Sequence, residues 1–67
     1  MNYFTTDVEA IKYAIGIEEP FNYFPTDNGK KYKAINQQGN TIWTIQFIND
    51  VMGWQIGYYP KNLKINS

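Results

Sequence analysis

Two periodicities divide the chain. Val8, Ile11, Ala14 and Ile15 recur at three- and four-residue spacing, which places one apolar stripe on a helix. From Lys31 on the period changes to two, and β-branched and aromatic residues fall into three runs, Lys31 to Asn36, Thr41 to Ile48 and Trp54 to Tyr59, separated by turn residues. The pattern predicts an N-terminal helix followed by three strands. Thr6-Asp7-Val8-Glu9 is a capping box in which the Thr6 hydroxyl can accept from the Glu9 amide, so the helix should start there. Gly16 offers a left-handed stop before Ile17 and Glu18-Glu19-Pro20. A helix of about ten residues is too short to persist unless its stripe packs on another element.

Turn chemistry fixes a register for the strands. A two-residue loop at Gln38-Gly39 sets Tyr32 opposite Ile45, Ala34 opposite Trp43 and Ile35 opposite Ile42. A four-residue loop, Asn49-Asp50-Val51-Met52, sets Phe47 opposite Trp54, Ile45 opposite Ile56 and Trp43 opposite Tyr58. Both registers put Tyr32, Ala34, Trp43, Ile45, Phe47, Trp54, Ile56 and Tyr58 on one side, an agreement that a one-residue slip in either hairpin would destroy. The expected fold is therefore α+β in two layers, with the helix packed on a three-stranded antiparallel meander in the order α-β-β-β. Lys31, Lys33, Thr44, Gln46, Gln55, Gly57 and Tyr59 are left on the opposite face, with Ile35, Ile42 and Ile48 near the hairpin ends.

Residues 20–30 place two prolines around three aromatics, Phe21, Tyr23 and Phe24, ahead of an Asp-Asn-Gly turn. They read as a loop, or at most a short edge strand, whose aromatics fold back over one end of the core or anchor a partner. The chain reads as one domain, 1–67, whose last residues, 60–67, fray or add a short edge strand. Leu63 and Ile65 in that tail are candidates to cover the open sheet face.

Composition narrows the chemistry. With no Cys and no His, disulfides, thiolate or imidazole metal sites, a Cys nucleophile and a His base all drop out. Each carboxylate has a structural use: Asp7 and Glu9 at the helix start, Glu18 and Glu19 at its exit, Asp27 and Asp50 in turns. The scattered glycines form no phosphate-binding loop. No catalysis, metal or cofactor is expected. Twelve aromatics, 18% of the chain, supply the core that a domain with no disulfide or metal needs. The α-β-β-β order resembles, in topology only, double-stranded-RNA-binding domains and certain small toxins. The first family's Lys-rich helix after the strands and the second family's catalytic His are both absent here.

Six Lys balance six carboxylates and there is no Arg, so the composition spells neither a polybasic surface nor an acidic DNA mimic. Lys30-Lys31-Lys33 could contact two or three phosphates, which gives only weak, salt-sensitive nucleic-acid binding. No apolar run is long enough to span a membrane, and the first residues lack a secretion signal, so a cytoplasmic location is expected. Asn, Ile, Lys, Tyr and Phe make up about half of the chain, a bias of AT-rich codons that points to a low-GC bacterium or its phage. By elimination the expected function is protein binding, of the kind a phage or mobile-element inhibitor or adaptor exerts on a host protein. Its candidate contacts are Tyr59, Ile35, Ile42, Gln46 and Gln55, with Lys31 and Lys33 on the rim, and Phe21, Tyr23 and Phe24 as the alternative set. A nucleic-acid module on the Lys-bearing face and a homodimer subunit are the other readings.

Overall fold

The computed structural model describes residues 3–59; the tail at 60–67, with Leu63 and Ile65, lies outside the described residues. Helix α1 spans Asp7–Ile17. Thr6 caps it in extended conformation, its Oγ1 accepting from the Glu9 N–H at 3.2 Å. The helix runs through Gly16 rather than stopping there. It ends at Glu18, whose backbone is extended (φ −149°, ψ 112°) while its N–H still bonds the Ala14 carbonyl at 2.9 Å, so no left-handed residue is required.

The sheet has four antiparallel strands in sequence order: β1 (Asn22–Thr26), β2 (Lys31–Ile35), β3 (Thr41–Ile48) and β4 (Gly53–Tyr58). This corrects the three-stranded expectation, because the Pro-flanked segment forms a full edge strand paired with β2. Pro25 is tolerated there because alternate residues of an edge strand direct their N–H away from the sheet, where none is needed. Tyr23, two residues away in the same alternation, donates its N–H to Asn22 Oδ1 at 2.9 Å. The outer edge of β1 is thus blunted against adding a further strand. At the other edge, Phe4 and Trp54 exchange backbone bonds of 2.9 and 2.8 Å. β1 turns into β2 through Asp27, Asn28 and Gly29, at φ 54°, 57° and 84°, the Asp-Asn-Gly signal acting as expected.

The β3–β4 register is as expected throughout: Phe47 faces Trp54, Ile45 faces Ile56 and Trp43 faces Tyr58. The β2–β3 hairpin reaches its register by another route. Asn36 N–H bonds the Asn40 carbonyl at 3.0 Å and Gly39 N–H the Asn36 carbonyl at 2.9 Å, so the loop holds three residues, Gln37-Gln38-Gly39, with Gly39 at φ 87°. Asn36 Oδ1 ties this loop from inside by accepting from the N–H groups of Gln38 and Asn40. One residue of offset follows, and a bulge removes it: Ile35 faces Thr41 while Ala34 faces Trp43. The bulged residue is Ile42. It is 3% exposed and belongs to the core, which corrects its expected place on the open face.

The core joins Ala10, Ile11 and Ala14 of α1 to Ala34, Ile42, Trp43 and Ile45 of the sheet. Ala10 and Ala14, four residues apart, set the centre of the buried stripe, and their small side chains suit a helix lying close to a fully buried Trp43. Val8, expected in the stripe, is therefore rotated out and is 55% exposed. Tyr58 is exposed, and Trp54 is half-buried between the rings of Tyr32 (5.9 Å) and Phe47 (5.3 Å). Two side-chain bonds pin the helix at its ends: Tyr32 Oη donates to Asp7 Oδ2 at 2.7 Å, and Trp43 Nε1 donates to the Glu18 carbonyl at 3.0 Å. Among the described residues, no helix is long and apolar enough to cross a membrane.

Candidate functional site

Strand alternation gives the sheet two unlike faces. Tyr23, Tyr32, Ala34, Trp43 and Ile45 face α1, as the 6.2 Å approach of the Tyr23 and Trp43 rings shows for β1. The other face is built in rows across the pairing. One row is Asn22, Ile35 and Thr41; the next is Phe24, Lys33, Thr44 and Gly57; the third is Thr26, Lys31, Gln46 and Gln55. Ile48 stands beyond the third row. Tyr59 continues β4, its N–H donating to the Ile42 carbonyl at 2.9 Å, and alternation from Tyr58 puts it on the open side. Among the described residues no helix or strand packs on this face, since α1 lies against the other.

Six of the seven residues singled out in the sequence are brought together here: Ile35, Gln46, Gln55, Lys31, Lys33 and Tyr59. Ile42 is withdrawn into the core by the bulge. Phe24 enters the face in its place, half-buried beside Lys33. Reading residues 20–30 as a loop, or at most a short edge strand, assigned it no face. Once the segment is a strand, its parity opposite to Tyr23 is enough to find it. At the end of the middle row Thr44 leans over Gly57, where an added Cβ would stand only 3.3 Å from Thr44 Oγ1.

The alternative aromatic set is split. Phe21, 66% exposed, rims an open cleft of about 650 Å³ with Glu18, Glu19, Pro20, Gln37 and Ile42 and shares a smaller recess of about 180 Å³ with Tyr23 and Ile15; Tyr23 also packs toward Trp43, while Phe24 joins the open face.

The open face carries charge of one sign. Lys31 and Lys33 are the only charged residues in any of the four strands, all six carboxylates lying in α1, its exit or the connections. Titration is perturbed on the helix side instead. The hydrogen bond to Asp7 holds the Tyr32 phenol above its ordinary pKa, with burial adding to the effect. Burial, and then Tyr13, raises Tyr58. Among the described residues no group of three or more metal-ligating side chains converges. Comparison with known proteins gives no further guide, since no protein family, no curated protein and no solved structure matches this chain.

Proposed function

We propose that this chain is a small non-catalytic module that binds another protein through the open sheet face, as an inhibitor or adaptor that acts by occupying its partner. One observation carries the reading: Phe24, Ile35 and Tyr59 stand among hydroxyls and amides on a face that no described helix or strand covers, Tyr3 reaching it only at the Ile48–Gly53 end. Interfaces favour this mixture, with aromatic anchors and few charges at the centre. The face is more apolar than solvation requires, and two lysines are too few to hold a nucleic acid tightly.

The test is affinity capture from the protein's native cells with and without nuclease, followed by calorimetry on the retained partner with folded variants. Tyr59→Ala and Phe24→Ala should each weaken binding at least as much as Lys31→Glu or Lys33→Glu, and Phe21→Ala should leave it unchanged. Retention lost on nuclease treatment would favour the nucleic-acid reading. Binding indifferent to Tyr59 and Phe24 but abolished by Phe21→Ala would move the interface to the cleft at the helix exit.

A further inference from the structure

The formal charge of the chain is zero, yet the charges are sorted. Among the described residues the strands present Lys31 and Lys33 on the open face and no carboxylate. Neither lysine forms an ion pair with a described residue. They occupy different rows: Lys33 stands between Phe24 and Thr44, and Lys31 between Thr26 and Gln46. Apolar residues therefore flank the lysines on both sides: Ile35 and Tyr59 lie toward one end of the face, Phe24 stands beside Lys33, and Ile48 lies beyond the row of Lys31, Gln46 and Gln55.

Resting on the reading of this face as the interface, we propose that its partner is an acidic protein surface, which sets carboxylates against Lys31 and Lys33 and an apolar patch against Phe24, Ile35 and Tyr59. Any occupant that covers the face strips water from two ammonium groups, and that is unfavourable unless acceptors replace the water. A carboxylate does so with charge, and its attraction also steers the approach. A second copy of this chain fails the requirement. A two-fold pairing lays the same face on itself, so the strands of neither copy bring a carboxylate to the lysines of the other. A nucleic acid meets the charge requirement but leaves the apolar residues of the face poorly used, and two neutralised phosphates give little affinity at physiological salt.

Four probes test this on the full chain, read by amide chemical shifts. They are a soluble peptide with two glutamates flanking a Leu-Trp pair, the same peptide with lysines in place of the glutamates, a ten-residue oligothymidylate, and dilution of the protein alone. The glutamate peptide should shift the amides of Lys31, Lys33, Thr44 and Gln46 and bind about tenfold more tightly than the lysine peptide, a ratio that two exposed ion pairs can supply. K31E/K33E should reverse the preference, and K31Q/K33Q should abolish it; both variants are checked for a folded spectrum first. Equal binding of the two peptides at the face would overturn the acidic partner while leaving the face as the interface. Failure of both peptides to shift those amides would overturn both. Tighter binding of the oligothymidylate there, or shifts of the same amides on dilution, would replace the acidic protein with a nucleic acid or a second copy.

Discussion

The two faces of one sheet share the same backbone and differ in nearly everything else. On the helix side, Trp43 and Ile45 are fully buried under two alanines, and two long-range side-chain bonds hold the helix at either end. On the other side a comparable number of strand positions carry Thr, Gln, Lys and a few apolar residues, with no described element over them. One face makes the fold stable; no described helix or strand packs on the other. The bulge at Ile42 marks the boundary, moving an isoleucine from the available face into the stabilising one while its former neighbour Ile35 stays behind.

Mutations should respect that division, and the largest effect is expected at Trp43. Trp43→Ala removes a fully buried ring and its bond to Glu18, and should cost about 3 to 5 kcal/mol, comparable to the whole stability of a small domain. Trp54→Ala, at a half-buried ring, should cost less. Phe24→Ala and Tyr59→Ala on the open face should cost about 1 kcal/mol or less. Chemical denaturation of the four variants checks the order, and an open-face substitution as damaging as Trp43→Ala would break the comparison.

The two isoleucines beside the bulge sharpen it. Ile42→Ala should destabilise by about 2 to 4 kcal/mol as a core truncation, and Ile35→Ala by about 1 kcal/mol. Equal losses in urea melts would mean that Ile42 is not drawn inside.

Thr6→Ala should cost about 1 kcal/mol, the worth of one N-cap. A parent-like denaturation midpoint would displace the helix start.

The smallest effect is one of pH. Because the folded Tyr32 phenol titrates above its ordinary value of 10.0, the native state holds this proton more tightly than the unfolded chain. Its contribution is fully present below about pH 10 and is lost as pH rises through the higher folded value. Tyr58 acts in the same sense. Melting temperatures across the alkaline range should therefore fall, and fall less steeply in Tyr32→Phe.

Much of the helix-facing side was legible in the sequence because it is dictated by period and loop length. The capping box placed the helix start, and the four-residue loop gave the whole β3–β4 register. Three features were not legible. The bulge is a compensation: a three-residue loop and one extra residue in β3 cancel, so the pairing of Ala34 with Trp43 is right even though the loop was misread and Ile42 lies on the other side. The edge strand was obscured by Pro25, a residue that argues against a central strand but not against an edge. With the segment read as a loop or at most a short edge strand and given no register, Phe24 was absent from the candidate face. Asp7 was read only as a helix-start residue, and its bond to Tyr32, which is 25 positions away, leaves no local trace.

Site-specific photo-crosslinking in the native cell puts the difference between the faces to its most direct test. A photoreactive residue at Gln46, exposed at the centre of the open face, is compared with one at Glu9, exposed on the outer side of the helix. The account predicts one discrete protein adduct from Gln46 and none from Glu9. The same adduct from Glu9, with none from Gln46, would contradict it.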